Sequence, residues 1–281
     1  MPPETKTGVF KTSDGCAIRY SLAGAPHPDA KRIALIHSLA LDRSIWDGVV
    51  RELANHAAIL TYDCRGHGRS ERRAGPYTAE LFARDLAELM DHVGWPSAAV
   101  AGCSLGGCVT QAFAGLYAPR ASALGLIDTT AWYGEDAPKE WRERAAMART
   151  KGFPGMVEFQ NTRWFGDAFR ISHPDLVQAM GDVFLANDVD CYAATCVLLG
   201  DADLRVYLPS VRVPVAVIVG EEDFATPVTM AQYLHDAIPG STLKILKGAR
   251  HLAPVECPEQ IASQFVDLFR RIDLRQAAAG E

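Results

Sequence analysis

Gly102-Cys103-Ser104-Leu105-Gly106 sets a serine between two glycines, after an apolar run and before an amphipathic one. A chain that turns this sharply forces the serine backbone into a strained conformation, and only small residues on either side let it pass. The turn lifts the hydroxyl clear of a sheet and aims the first N–H groups of the following helix at it. The spacing by itself recurs by chance. Its strand-turn-helix setting is what points to a nucleophile rather than to a glycine-rich packing turn.

A serine hydroxyl is a weak nucleophile near neutral pH and needs a base. Eight histidines are available. His27, His56, His92 and His235 fall in a loop or on polar helix faces, and His173 falls in a long helical insertion. His37 ends a strand and reads as structural. His251, in Gly248-Ala-Arg-His-Leu-Ala-Pro254, follows the last predicted strand and is the candidate base, against the alternative of a satisfied core histidine. Asp223, in Gly220-Glu-Glu-Asp-Phe-Ala-Thr-Pro227, is the preferred acid to fix its tautomer and stabilise the imidazolium. Asp128 ends the preceding strand and competes with it, while Glu221 and Glu222 read as solvated neighbours. A developing oxyanion needs two N–H donors already in place. Leu105 supplies one, and Leu39, with Ser38 as the alternative, supplies the other from His37-Ser-Leu-Ala40. Asp63-Cys-Arg-Gly-His-Gly-Arg-Ser70 reads as a polar loop that braces the site.

Several elements must deliver these residues. Apolar runs at 32–37, 57–62, 98–102, 123–128 and 213–219 lack strict polar alternation, as parallel strands covered on both faces do. A hairpin precedes them, with strands near 9–11 and 17–21 turned at Ser13-Asp14-Gly15, and 242–246 reads as the last strand. Phe82, Leu86, Leu89 and Val93 share one helical face, as do Ile261, Phe265, Leu268 and Ile272. The order Ser, Asp, His is the one the α/β-hydrolase fold uses. The expected architecture is therefore α/β: a mostly parallel eight-stranded sheet flanked by helices, with a helical cap insertion. The core spans 1–131 and 206–275, the cap 132–205 and a tail 276–281, with fraying expected beyond Ile272.

Composition narrows the function classes. With 281 residues, 48% apolar, 22% charged and a net charge of −6, the chain reads as one soluble globular domain with an insertion. No basic stripe suggests a nucleic-acid partner. The N-terminus lacks a signal-peptide layout, no apolar run is long enough to span a bilayer, and the chain reads as cytoplasmic. Seven cysteines, an odd number with no C-x-x-C pair, read as free and mostly buried. No Cys/His cluster has metal-ligand spacing, and no glycine-rich segment matches a dinucleotide or phosphate loop, so neither metal nor organic cofactor is expected. The partner expected is a small-molecule substrate, with no nucleic acid and no membrane. The oligomeric state is left open, a homo-oligomer included.

With these residues assembled, the chain resembles the 3-oxoadipate enol-lactonase family of α/β hydrolases nearly end to end. The matching pieces are His37-Ser-Leu-Ala-Leu-Asp42 with Ile45-Trp46, Asp63 through Ser70, the elbow at Ser104, Thr162-Arg-Trp-Phe165, Ala202-Asp-Leu-Arg205, and Gly220 through Pro227. Much of this is shared with cap-bearing esterases and cofactor-free haloperoxidases. The His-Ser-Leu opening and the Arg-Trp-Phe segment lean toward the lactonases. The resemblance implies hydrolysis of an enol-lactone to a 3-oxo acid in aromatic catabolism, through an acyl-enzyme on Ser104. The same triad also serves C–C hydrolysis and perhydrolysis, and a non-catalytic ligand-binding protein on this fold is a third reading. Trp132 at the start of the cap and the apolar residues after His251 suggest a dry pocket, to which Trp132, Arg163 and Trp164 are assigned. A substrate carboxylate there needs a partner, for which Arg43, Arg163 and Arg250 are candidates.

Overall fold

The computed structural model describes residues 5–24 and 30–279. Residues 1–4, read for a leader, His27, and residues 280–281 of the tail lie outside the described residues.

The hairpin β1 (Thr5–Lys11) and β2 (Ala17–Gly24) leads into β3 (Lys31–Ile36), helix α1 (Asp47–Leu53), β4 (Ala57–Tyr62), α2 (Ala79–His92), β5 (Ala98–Cys103), α3 (Leu105–Leu116) and β6 (Ala121–Ile127). Five helices then intervene: α4 (Ala137–Lys151), α5 (Val157–Trp164), α6 (Asp167–Ser172), α7 (Pro174–Leu185) and α8 (Val189–Asp201). The alternation resumes with β7 (Val215–Gly220), α9 (Val228–Ala237), β8 (Thr242–Leu246), α10 (Ala253–Glu256) and α11 (Pro258–Ala279). The eight strands lie in the order β1-β2-β4-β3-β5-β6-β7-β8. The two pairings made by β2 are antiparallel and the rest are parallel.

β5 and β7 are buried at every residue, which is why their sequences show no polar alternation. α3 lies along β3, β5 and β6, with α2 beside it, while α11 packs with α1 and lies along β6 and β7. α2 buries Phe82, Leu86 and Leu89, the face its periodicity predicts. α11 differs from expectation at its end. It continues through Asp273 to Ala279 instead of fraying after Ile272. Arg271 donates to Val215 O (2.9 Å), Arg275 donates to Arg212 O, and the run Ala277-Ala-Ala279 has high helix propensity.

The insertion leaves and rejoins the sheet side by side. Trp132 forms an antiparallel bridge with Asp203, and Leu204 N–H donates to Ala131 O (2.9 Å). Its own apolar centre is aromatic: Phe153 meets Phe184 and Tyr192 edge-on at 5.0 and 5.3 Å, and Trp164 meets Phe184 at 5.5 Å. Among the described residues no single helix is long and apolar enough to cross a membrane. All seven cysteines are free, and all but Cys257 are buried.

Candidate active site

The carboxyl ends of the parallel strands converge under the insertion, where open α/β sheets place their sites. Ser104 follows β5 with φ 56° and ψ −112°, a region a side chain rarely adopts. Two glycines make that turn sterically feasible. A Cβ on Gly102 would stand 2.0 Å from Gly106 C and O, and one on Gly106 would stand 2.2 Å from Ile36 O. Hydrogen bonds hold the strained residue: its N–H donates to Ile127 O (2.9 Å), and Thr129 Oγ1 donates to its carbonyl (2.8 Å).

His251 follows β8 and reaches both partners. Its Nε2 lies 3.0 Å from Ser104 Oγ, and its Nδ1 lies 2.8 Å from Asp223 Oδ2. With the proton on Nδ1, the ring donates to Asp223 and leaves Nε2 to accept from the serine hydroxyl. Asp223 is fixed by an Asx-type turn: its Oδ1 accepts from Ala225 N (2.7 Å) and Thr226 N (3.0 Å), and its Oδ2 accepts from Thr226 Oγ1 (2.7 Å). Burial by itself raises a carboxyl. Here the adjacent His251 and the Thr226 donors outweigh it and hold Asp223 below its ordinary value.

Asp128, the competing acid, is occupied elsewhere. It accepts from Gly220 N (2.9 Å) and Ala253 N (3.0 Å), joining the end of β7 to the start of α10. Burial, and then the Asp223 charge, push its carboxyl well above the ordinary value.

Leu39 and Ser38 line the chamber that holds Ser104 and His251. Among the described residues neither Leu39 N–H nor Leu105 N–H is engaged by a protein acceptor. The loop carrying Leu39 is held from both sides. His37 Nδ1–H donates to Ser38 O (2.7 Å), while His37 Nε2 accepts from Cys64 N (2.9 Å). Burial pushes the His37 ring down, so it stays neutral in this bracing tautomer. From the insertion, Asn187 Nδ2 donates to Ala40 O (2.7 Å), at a residue with φ 60°. The 63–70 loop is a dense polar brace in which Asp63 accepts from Arg43 N, Arg43 Nη1 and Arg69 N at 3.1, 2.6 and 2.9 Å.

The chamber around Ser104 and His251 has about 20 Å³ of free volume, lined also by Tyr133, Trp141, Arg144, Gln160, Arg163 and Trp164. That is room for one water-sized group, so only the reacting end of a substrate fits. Arg163 and Trp164 thus stand in the chamber, but Trp132 does not. Neighbouring residues of an extended segment point to opposite sides. The bridge to Asp203 turns Trp132 outward, where the Arg205 guanidinium covers its ring at 3.9 Å, and turns Tyr133 inward instead. Tyr133 lines the same chamber as Ser104, and burial pushes its phenol well up, so it stays protonated.

The three candidate arginines separate clearly. Arg43 pairs with Asp63 (2.6 Å), and Arg250 pairs with Asp167 (3.0 Å) and Glu222 (3.4 Å). Arg163 has no carboxylate within ion-pair distance among the described residues. Burial, and then the charge of Arg144, push it down to about 10. Arg144 donates to Tyr192 OH (2.8 Å) and Gln160 Oε1 (2.9 Å), both neutral acceptors. The sequence reading missed Arg144, Tyr133, Gln160 and Thr226. Arg144 is one of several charged residues in the run Lys139-Glu-Trp-Arg-Glu-Arg144, and nothing in that run singles it out. Thr226, three residues after Asp223, carries the local signal of an Asx turn. No group of three or more His, Cys, Asp or Glu side chains among the described residues is arranged to hold a metal ion.

A family model described as the alpha/beta hydrolase family matches residues 33–264. The chain belongs to that family. The protein is a hydrolase of the type that acts on ester or lactone bonds. It is 32% identical to 3-oxoadipate enol-lactonase 2 of Acinetobacter baylyi over 88% of this chain and 91% of that one. The enol-lactonase of Burkholderia xenovorans LB400 superposes with a TM-score of 0.89 at 33% identity, covering 94% of this chain and 100% of that one. A thermophilic esterase of Thermogutta terrifontis, solved with malate bound, superposes with a TM-score of 0.87 at 27% identity, covering 95% and 99%.

Proposed function

We propose that this hydrolase opens a small enol-lactone carrying a carboxylate, of the 3-oxoadipate enol-lactone kind, through an acyl-enzyme on Ser104. The observation that carries the reading is the pair Arg163 and Arg144, two guanidiniums without a carboxylate partner among the described residues, in the chamber of Ser104 and His251. A buried cation of this kind binds best to a ligand that brings the missing charge. The enol-lactonase relatives and the malate-bound esterase support the same substrate chemistry.

His251 takes the proton from Ser104 Oγ as the oxygen attacks the lactone carbonyl, and Asp223 stabilises the imidazolium that forms. Leu39 and Leu105 N–H stabilise the oxyanion. The ring C–O bond breaks, the enol oxygen takes the proton back from His251, and the opened chain stays attached as the acyl group. His251 takes a proton from water as it attacks the acyl carbonyl, and gives that proton to Ser104 Oγ as the bond to the acyl group breaks. No step needs a cofactor. On this reading the protein is a cytoplasmic enzyme of aromatic catabolism.

The test is hydrolysis of 3-oxoadipate enol-lactone beside a short neutral p-nitrophenyl ester, by the wild-type protein and Ser104→Ala. A much higher kcat/KM for the lactone, with both activities down by about three orders of magnitude or more in the variant, is expected. Cleavage of the ester alone would refute the lactone, and full activity in Ser104→Ala would refute the acyl-enzyme.

A further inference from the structure

The reactive chamber adjoins a second cavity of about 770 Å³, and Tyr133, Trp141, Arg144, Gln160, Arg163 and Ala225 line both. A small lactone with its carboxylate at Arg163 leaves most of that outer space empty. The volume is in the range that takes whole drug-sized ligands. Its wall is apolar toward the outside: Met147, Met156, Phe159, Phe224, Pro227 and Met230 line it. Phe159 is 57% exposed, Phe224 54% and Met147 43%. Apolar side chains of this size left in water around a concave opening mark a place where an apolar group binds. Glu140, Glu143 and Lys151 add charged groups to the same lining.

We infer that this outer cavity is a binding subsite for an apolar extension of the substrate. The molecule it fits is an ester or lactone with its reactive carbonyl at Ser104, an anionic group at Arg163 and Arg144, and a medium-length alkyl or aryl group beyond them. The order follows from the cavity itself. The chamber at Ser104 admits only the reacting end, the two guanidiniums line both spaces, and the methionine and phenylalanine wall belongs to the outer space alone. Methionines, unbranched and adaptable, suit a wall that receives alkyl groups of differing shape. The inference rests on the assignment of Arg163 and Arg144 as the anion site.

Binding, not turnover, tests it. Butanoate, hexanoate, octanoate and decanoate, each below its micelle concentration, are titrated calorimetrically into the full-length protein. Each added methylene buried in the cavity is expected to tighten binding about threefold, so the six that separate decanoate from butanoate tighten it on the order of 700-fold. That ratio falls to about one-fifth or less in Phe159→Ser with Met147→Ser, since part of the apolar wall is gone. It is unchanged in Ile171→Ser, which removes an apolar residue 82% exposed and outside both cavities. Decanoate binding no tighter than butanoate overturns the inference, whatever the enzyme hydrolyses. So does a Phe159→Ser protein that changes from dimer to monomer while keeping the ratio, which would assign the apolar rim to a second copy of the chain. Arg163→Met weakens all four acids by one common factor if the anion assignment holds. Unchanged affinities there refute that assignment while the dependence on chain length still supports the apolar subsite.

Discussion

Arg163 shares the reactive chamber with a second guanidinium, Arg144, and no carboxylate among the described residues pairs with either. Two cations held together by α4 and α5 of the helical insertion repel each other. The arrangement is relieved when an anion enters. Arg144 is fixed in place by Tyr192 and Gln160, which accept hydrogen bonds without cancelling its charge. Arg163 has no such partner among the described residues, and on the proposed function it is the group an incoming carboxylate meets.

Replacing Arg163 by Met removes a charge-assisted hydrogen bond while keeping most of the side chain's bulk. The ratio of kcat/KM for the carboxylated lactone to that for a neutral ester is expected to fall about 10- to 100-fold, mainly through KM. Steady-state kinetics on the two substrates checks this. An unchanged ratio would remove Arg163 from substrate recognition.

Asp223 and Asp128 are both buried acids near the base, yet their variants should behave differently. Asp223→Asn removes the acceptor for His251 Nδ1–H and is expected to lower kcat by about three to four orders of magnitude with little change in thermal stability. Asp128→Asn keeps only one good acceptor for Gly220 N and Ala253 N. It is expected to cost about 1–3 kcal/mol of stability and much less activity. Chemical denaturation beside kinetics separates the two, and the reverse pattern would make Asp128 the catalytic acid.

Asn187→Ala cuts the hydrogen bond from the insertion to Ala40 O, one residue along the loop from the Leu39 donor. A backbone at φ 60° is held there at a cost of about 1 kcal/mol, and releasing it should let the N–H drift from the oxyanion position. A fall of about tenfold in kcat with KM nearly constant is expected. Pre-steady-state measurement of acylation is the appropriate readout, because an effect on substrate binding alone would appear in KM.

Glu256 links the base to the insertion. Its Oε1 accepts from Arg250 N (2.7 Å), beside His251, and its Oε2 accepts from Gly166 N (2.9 Å), just past α5. Burial pushes its carboxyl up to about 7, against the lowering effect of those two N–H groups. Between pH 4.5 and about 7 the folded chain therefore holds a proton that the unfolded chain releases, so stability falls as pH rises through that window. Above it both states are ionised and the loss is complete. Melting temperatures measured across this window should decline in the wild-type protein and decline less in Glu256→Gln.

Much of this site was legible in order and type. Ser104, Asp223 and His251 each follow an apolar run, and the glycines at 102 and 106 announce a turn no larger residue allows. A parallel sheet translates such positions into proximity without further instruction, because all its carboxyl ends face one way. The insertion was legible only as helical. Its pocket side is set by which residues of short, irregular segments turn inward, and those choices are made by contacts distant in sequence.

Trp132 and Arg144 show the division. From composition and periodicity alone the chain determined an α/β sheet, a serine elbow, and an acid and a base in the order that sheet requires, since strand burial and tight turns are written in local residue types. Only the tertiary structure decided that Trp132 faces outward, Tyr133 inward, and Arg144 beside Arg163. The bridge between Trp132 and Asp203 fixes the first two, and the packing of α4 on α8 fixes the third. Each joins parts of the chain about 40 or more residues apart, where no local periodicity reaches.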